Sequence, residues 1–393
     1  MKGEIFSSLL RYSTLILLLF IFLGCSNNRT KEATTNKAQL IYSGDISFPL
    51  DSTTSVLSHS GQLYLASETK GNIEAGQRYF CYLNRGKIQF YHFEDKRLVH
   101  TIRFTYDGEN AIASSVEHFN ILSLDSIYIN TFPQPFVYRV NHLGEVKERF
   151  QLGGNQKPAE TMVSTSNPII VDDDNLFLGF YTNLPPQDRH SPLTNQELQG
   201  IVLQYNMSSG EQSLQYYFPK AYTTSTLWSQ YYYIAFIQKG ASKHDLLISL
   251  GADDSITVTN FIDKEKRYYA GSNLFRKING IPRKKSQWDH YRLNYMYEGI
   301  LYDPYRKCYY RFLSLPKTPE QIKSPELKKG RAKDMAIITL DENFNKISET
   351  ILPPDYSNLI YFISEEGLYI YNIQKATEDE NNISFGLFKL DRL

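Results

Sequence analysis

The sequence predicts an all-β protein: a β-propeller of six blades whose ring is closed by its N-terminal strand. Three observations lead to this prediction. The composition is rich in aromatic residues, a strand–turn–strand unit recurs along the chain, and the last unit lacks one strand. Tyr and Phe supply 30 and 23 of the 393 residues, and both side chains suit a pleated, half-buried sheet surface.

Residues 1–24 are predicted to be a signal peptide outside the fold. Lys2 and Arg11 precede the apolar run "STLILLLFIFL", which is shorter than the roughly 20 residues that a transmembrane helix needs. The run ends at Gly24 and Cys25, a pair that resembles the lipobox of bacterial lipoproteins, although Phe22 stands where a lipobox usually has Leu. The resemblance implies cleavage before Cys25 and a lipid on its sulfur. An uncleaved anchor or an ordinary signal peptide is the alternative.

The segment after the signal peptide is polar and predicts a flexible tether over residues 25–37. A single propeller domain is predicted over residues 38–393. In some Bacteroidota lipoproteins an acidic run after the lipidated Cys is associated with export to the cell surface, and "SNNRTK" has none. We therefore expect a lipid-anchored protein of the bacterial cell envelope, on the outer membrane and facing the periplasm.

The recurring unit is a β-hairpin with a polar turn. In "FVYRVNHLGEVKERFQL" (136–152) an alternating strand runs into a turn with Gly144, and a second alternating strand follows. The same plan recurs over 87–104, 200–218 and 335–352. One or two further strands precede each hairpin, and four short antiparallel strands make a propeller blade.

The units are spaced like the repeats of a propeller. They fall at 61–104, 119–152, 168–218, 231–271, 295–352 and 358–393. Seven blades is the alternative if the region 272–335 contains another unit. A two-sheet sandwich and an irregular β-solenoid are the competing folds, and the repeats argue against the sandwich.

The last unit predicts how the ring closes. It holds "LIYFIS", "GLYIYNI" and "SFGLFKLDRL", which are three strands, whereas "AQLIYSGDISFPL" (38–50) is a strand without a unit. We expect the N-terminal strand to complete the last blade, because an open ring would expose a sheet edge and an apolar face. Cys81 and Cys308 then lie in blades one and five, which are not neighbours, and are interpreted as buried small hydrophobic side chains.

The hairpins "YRVNHLG", "LQYNMSSG" and "ITLDENFN", together with the lipobox and the tether, resemble Bacteroidota lipoproteins grouped as an uncharacterised domain family. That family is thought to adopt a TolB-like six-bladed propeller. The resemblance covers nearly the whole mature chain and implies the fold and the location. It implies no catalytic residue.

Motifs of known chemistry are missing from the sequence. There is no GxSxG, HExxH, CxxC or phosphate-binding loop, and the eight His residues lack metal-ligand spacing. The chain has 42 basic and 42 acidic residues, so no overall field attracts nucleic acid. We predict no catalytic residue, no metal, no cofactor and no nucleic-acid partner.

Two long loops contain the candidate ligand-binding residues. The loop 182–200 places Arg189 and His190 between prolines, and the segment 276–298 combines basic and aromatic side chains. Such mixtures suit carboxylates, phosphates or sugar rings. The alternative for the second segment is a solvated basic loop with Trp288 packed over the blades. The candidates there are Arg283, Trp288, Asp289, His290, Tyr297 and Glu298.

Two functions from different classes fit these features. The favoured one is a non-catalytic binding or scaffold module that recognises a glycan, a peptide or a partner protein and contacts the membrane through the lipid on Cys25. The alternative is a metal-dependent propeller hydrolase, lactonase-like or sugar-acting, in which Asp289, Asn294 and Glu298 would contribute to a metal site. A hydrolase should bring at least two carboxylates together at the channel mouth, whereas a binding module should present aromatic and polar side chains there.

Overall fold

The protein folds as a six-bladed β-propeller, as the sequence predicts. The computed structural model describes residues 37–392 except 52, 55–59, 85, 154–159, 162, 182–199, 220–221, 223–227, 279, 281–285 and 324–332. Six antiparallel sheets follow one another along this part of the chain. None of its helices combines the length and the apolar character needed to cross a membrane.

The first half of the propeller begins with β1 (Ala38–Pro49), a strand that belongs to the last blade. Blade 1 contains β2 (Gly61–Leu65), β3 (Arg78–Asn84), β4 (Lys87–His92) and β5 (Leu98–Arg103). Blade 2 contains β6 (Ser115–Ser123), β7 (Ser126–Phe132), β8 (Phe136–Val140) and β9 (Val146–Gln151). Blade 3 contains β10 (Glu160–Thr161), β11 (Ile170–Asp172), β12 (Asn175–Tyr181), β13 (Val202–Asn206) and β14 (Gln212–Gln215).

The second half follows the same order. Blade 4 contains β15 (Ala235–Lys239), β16 (Leu246–Leu250), β17 (Ser255–Thr259) and β18 (Glu265–Tyr269). Blade 5 contains β19 (Met296–Asp303), β20 (Cys308–Ser314), β21 (Met335–Asp341) and β22 (Lys346–Ile351). Blade 6 contains β23 (Tyr356–Ile363), β24 (Leu368–Asn372), β25 (Asn382–Arg392) and, outermost, β1.

The described helices are short and lie between strands. They are a 3-10 helix (Gln230–Tyr233), α1 (Gln287–Leu293), α2 (Pro319–Lys323) and α3 (Ile373–Glu378). The described part of the region 272–335 thus holds α1, α2 and two strands of blade 5 instead of a further blade. The ring therefore has six blades, and the seven-bladed alternative is excluded.

The polar turns of the outer hairpins share one local cause. The first turn residue is Asn141, Asn206, Asn260 or Asp341, and its side-chain oxygen accepts backbone N–H groups two to four residues further on. Asn and Asp favour such turns because their short side chains mimic a backbone acceptor. Gly144 supplies the positive φ of 82° that the β8–β9 turn requires.

The ring closes through the N-terminal strand, which confirms the prediction. β1 pairs antiparallel with β25, from Ala38 opposite Arg392 to Pro49 opposite Asn382. Phe48 of β1 is fully buried, with its ring centroid 4.6 Å from that of Phe80 in blade 1. The blade that contains β1 and β25 is thereby packed against blade 1.

Each of the six seams between neighbouring blades has its own hydrophobic cluster. Adjacent residues of one strand serve different seams: Leu247 of β16 packs toward blade 5, and Ile248 toward blade 3. The inner strands are therefore buried on both faces, which explains why they are continuous apolar runs. Cys81 in blade 1 and Cys308 in blade 5 are buried and free of disulfides, as predicted.

The two ends of the ring differ in their connections. At the connection end, the chain passes from each blade to the next, and the described residues of the segments 104–114, 152–169, 216–234 and 270–295 lie there. At the turn end, the innermost strand of each blade, which is β11 in blade 3, meets the next strand through residues such as 124–125, 173–174 and 304–307. The innermost strands surround the axis, because residues from all six line one central cavity.

Candidate functional site

The candidate residues that the structure describes lie at the connection end of blade 5. Trp288, Asp289 and His290 belong to α1, which leads into the innermost strand β19 with Tyr297 and Glu298. Ser286 begins α1 by accepting the Asp289 N–H at 3.2 Å, and the Asn294 side chain donates to the His290 carbonyl at 2.8 Å. Arg189, His190, Arg283 and Cys25 lie outside the described residues.

Trp288 presents an exposed indole that aromatic neighbours hold in place. Its side chain is 48% exposed. Tyr291 stacks on it with ring centroids 5.1 Å apart, and Tyr231 of the 3-10 helix meets it edge-on at 5.5 Å. Tyr231 and Tyr291 are themselves 5.1 Å apart. We name Tyr231, Trp288 and Tyr291 the aromatic cluster.

Charged groups flank the aromatic cluster. The Arg292 guanidinium lies 5.6 Å from the Trp288 ring centroid and donates to the Asp289 carboxylate at 2.5 Å. Asp289 is partly exposed, so this ion pair is reachable from solvent. The surface therefore offers an indole, a cation and hydrogen-bond acceptors side by side, a combination that suits sugar rings and polar chains.

Glu298 is buried beneath the aromatic cluster in a network of hydrogen bonds. Its carboxylate accepts hydrogen bonds from Ser314 of β20, from Asn358 of β23 and, at 3.4 Å, from the Tyr291 hydroxyl. Burial, together with this carboxylate, raises the pKa of Tyr291 well above its ordinary value. We name Glu298 and its three donors the Glu298 network; it joins α1 to blades 5 and 6.

Lys333 is a second buried charge at this site. It is 4% exposed, and its ammonium donates to the carbonyls of Tyr291, at 2.9 Å, and Asn294. It also lies 4.3 Å from the Tyr291 ring centroid. Burial lowers the pKa of Lys333 to about 7, although the Glu298 carboxylate acts in the opposite direction. Buried groups with such shifts are typical of functional sites.

His290 and Tyr297 belong to the packing of the blades. His290 is buried against the Tyr232 ring at 5.8 Å, and its Nδ1 accepts the Ser229 N–H at 3.4 Å. Tyr297 is fully buried at the seam between blades 4 and 5, where its hydroxyl donates to Asp254 at 2.5 Å. Trp288 and Glu298 both contact Tyr291 and belong to the candidate site. His290 and Tyr297 instead take part in the packing of the blades next to it.

Sequence reasoning missed six members of this site: Tyr291 and Arg292, which lie on α1 beside the predicted candidates, and Tyr231, Ser314, Lys333 and Asn358. The last four come from different segments, and only the fold brings them together. Ser314 had a readable signal, because it ends the apolar run "CYYRFLS" of a central strand and is therefore forced into the interior. Lys333 had none, since it closes a charged, Pro-containing stretch that is typical of a solvated loop.

The two acidic candidates, Asp289 and Glu298, have separate partners. Asp289 pairs with Arg292 on α1, while Glu298 bonds to the neutral donors named above. Asp172, in the acidic run 172–174, pairs with Lys239 at 2.5 Å and with His244 at 2.8 Å. Among the described residues, no three His, Cys, Asp or Glu side chains group as metal ligands would.

The sequence matches a domain of unknown function, DUF4221, over residues 37–351. The chain belongs to the DUF4221 family. The match spans the first five blades and the closing strand. No protein of curated function matches the sequence.

Two solved structures share the fold of this DUF4221 protein. A DUF4221 member from Bacteroides vulgatus is 20% identical, covers 91% of this chain and 99% of its own, and superposes with a TM-score of 0.74. A Bacteroides fragilis protein, named as a candidate for export, is 8% identical, covers 91% of this chain and 97% of its own, and gives a TM-score of 0.52. At these identities the likeness concerns the fold alone.

Proposed function

We propose that this DUF4221 protein is a non-catalytic binding module and that it recognises a glycan through the surface around Trp288. The observation that carries the proposal is the exposed indole, whose orientation Tyr231 and Tyr291 fix. A rigid aromatic side chain loses little conformational freedom when it binds a ligand, and its face packs against the C–H groups of a sugar.

The charged neighbours of Trp288 support the same ligand class. Arg292 and Asp289 offer donors and acceptors to hydroxyl groups beside the ring, and their mutual ion pair keeps the surface close to neutral. An uncharged, hydroxyl-rich ligand needs such a surface, because it pairs with polar groups without leaving a buried charge uncompensated.

We further propose that the protein is a lipoprotein of the envelope of a Bacteroidota bacterium, anchored through Cys25 to the outer membrane and facing the periplasm. The apolar run before Gly24 and Cys25 supports the anchor. The Bacteroides origin of the other DUF4221 member supports this source. The name of the Bacteroides fragilis protein, which includes export, supports a location in the envelope. Mass spectrometry of the chain purified from its host tests the proposal through a diacylglyceryl mass on Cys25.

Glycan recognition is tested by calorimetric titration of the full-length chain, held in lipid nanodiscs, with oligosaccharides of the bacterial envelope. We expect binding that Trp288→Ala weakens at least tenfold, because removal of a central aromatic contact costs roughly 2 kcal/mol or more. The matched control is Tyr305→Ala, which removes a side chain of similar exposure, 51%, from a turn at the opposite end of the ring.

The titration separates the possible results. Loss of binding in Trp288→Ala with unchanged binding in Tyr305→Ala supports the proposed surface. Equal affinities of the two variants and the wild type would place glycan binding elsewhere. A third result is that no glycan binds, whereas an envelope peptide or protein binds and Trp288→Ala weakens it. The proposed surface would then be correct, and its ligand would be a peptide or protein.

A further inference from the structure

The central channel contains a cavity at the turn end, on the side of the ring away from the aromatic cluster. Its volume is about 410 Å³, within the range of small-molecule sites. The walls come from the innermost strands of all six blades, mostly from their later residues. Leu122, at the rim, is 48% exposed, so the cavity opens where these strands end.

A tight turn closes the other side of the cavity. Residues 164–167 form a bridge in which Ser164 and Asn167 bond to each other. Thr165 contacts blade 1 by accepting the Gly61 N–H at 3.4 Å, and its carbonyl accepts the Gln238 side chain of blade 4 at 3.2 Å. Because blades 1 and 4 face each other across a ring of six, the turn lies on the axis and forms the floor of the cavity.

Two buried polar atoms at this cavity have no hydrogen-bond partner of standard geometry. One is Nε2 of His118, whose other ring nitrogen bonds to the Ser60 hydroxyl at 2.8 Å. The second is the hydroxyl of Tyr361, whose hydrogen bond with the Gln238 side chain falls outside standard geometry. His118 is 3% exposed and Tyr361 is 2% exposed, and both line the cavity. Unpartnered buried polar groups are costly, so a ligand that bonds to them gains free energy.

The remaining lining indicates the chemistry of such a ligand. Leu63, Leu122, Leu301 and Ile363 line the cavity and favour an apolar body. Lys239 reaches the lining as well, but its ammonium is already paired with Asp172. Burial lowers the pKa of His118 to about 3, so its imidazole is neutral at physiological pH. Burial, together with the Glu298 carboxylate, raises the pKa of Tyr361, so an anionic head group would meet a like charge there, and burying any ionic head group is costly.

We propose that this cavity is a second binding site, and that it takes a small uncharged molecule with an apolar body and a hydroxyl or carbonyl head. The head would bond to the Tyr361 hydroxyl and to His118 Nε2, while the body would pack against the leucine-rich wall. The site is separate from the surface around Trp288 and does not depend on the proposed glycan recognition.

The test uses fluorine NMR on the full-length chain in lipid nanodiscs, with empty nanodiscs as the reference for partitioning into lipid. The probes are fluorobenzyl alcohol, its longer homologue fluorophenethyl alcohol, and fluorotoluene, which lacks the hydroxyl group. We expect both alcohols to bind more tightly than fluorotoluene by roughly twentyfold, the effect of two hydrogen bonds. Tyr361→Phe should remove one of these bonds, and so weaken the alcohols roughly fivefold while leaving the affinity for fluorotoluene unchanged.

Two further variants keep the result interpretable. Tyr91→Phe is the matched control, because it removes another buried, unpartnered tyrosine hydroxyl that does not line the cavity; it should leave all affinities unchanged. Leu122→Trp, which narrows the rim, should weaken all three probes. Equal affinity of the alcohols for wild type and Tyr361→Phe would overturn the proposal, as would no binding of either alcohol above the nanodisc reference. Unchanged alcohol binding in Trp288→Ala would keep the two sites distinct.

Discussion

Blade 5 buries two cationic side chains, Arg311 in β20 and Lys333 just before β21, and their surroundings differ. Arg311 is fully buried at the seam with blade 4, where its guanidinium donates to the Ser249 hydroxyl and to the carbonyls of Ala270 and Asp253. Lys333 lies at the connection end, among the carbonyls of α1, with the Glu298 carboxylate nearby.

The difference shows which part of blade 5 is structural and which is suited to function. Arginine keeps its proton under all ordinary conditions and presents several donors in a fixed plane. Arg311 can therefore hold two blades together at any physiological pH. Lys333 changes its charge near neutral pH and lies beneath the exposed Trp288, so a ligand or a proton at that surface can alter the electrostatics of the interior.

The largest expected effect concerns the seam. Arg311→Met removes the donors of four hydrogen bonds, those named above and one to the Ser255 carbonyl at 3.4 Å, so the free energy of unfolding should fall by about 3–5 kcal/mol. The cation also lies 3.9 Å from the Tyr297 ring centroid, and this contact is lost as well. Equilibrium unfolding in urea, with the slope compared between the variant and the wild type, measures the effect.

Arg139→Met provides the control for this measurement. Arg139 lies in β8 and pairs with Glu148 at 2.8 Å, with both side chains partly exposed. Such surface pairs contribute roughly 0–1 kcal/mol. A loss at Arg311 no greater than the loss at Arg139 would show that the buried arginine does not hold the two blades together.

Glu298→Gln should have a smaller effect at the connection end. The substitution replaces one acceptor oxygen by an amide donor that faces the donors of Ser314, Asn358 or Tyr291. One unsatisfied contact in the interior should reduce the free energy of unfolding by roughly 1–3 kcal/mol. Urea unfolding checks this value beside Glu148→Gln, a surface carboxylate that should change stability by less. Equal losses in the two variants would contradict the role assigned to the Glu298 network.

The fold was predictable because its signals are local and repeated. The Asn and Asp residues that begin the outer turns, such as Asn141 and Asp341, mark the hairpins in the sequence as they do in the structure. Closure by β1 followed from counting strands. The turn 164–167 was not predictable, because its short polar residues are typical of any loop, and only contacts with opposite blades place it on the axis.

The candidate site was predictable only in part, for reasons of geometry. Trp288 and His290 are two positions apart on a helix, so their side chains point in nearly opposite directions, and only one of them can face solvent. Tyr297 and Glu298 are adjacent on a strand and therefore lie on opposite faces. Arg311 lies in "CYYRFLS", a central strand buried on both faces, and this context could have indicated a buried cation.

Lys333 gives the last prediction, which concerns pH. The pKa of Lys333 in the folded chain is about 7, below its ordinary value of 10.5. Between these values the unfolded chain binds the proton and the folded chain does not, so the free energy of unfolding rises with pH. The slope is on the order of 1 kcal/mol per pH unit for one such group. This dependence should appear between about pH 7.5 and 9, above the range in which His118 titrates in the unfolded chain.

Lys333→Met isolates this contribution, because methionine fills a similar space without a titrating group. In urea unfolding series, the free energy of unfolding of the wild type minus that of the variant should rise steadily across pH 7.5–9. Other titrating groups contribute equally to both proteins and cancel in this difference. Lys264→Met is the control: Lys264 pairs with Asp245 at 2.5 Å at the surface of blade 4, and its removal should leave the slope unchanged. A flat difference between wild type and Lys333→Met would mean that Lys333 stays charged throughout this range. Lys333 and Arg311 would then both stay charged and would differ only in their position in blade 5.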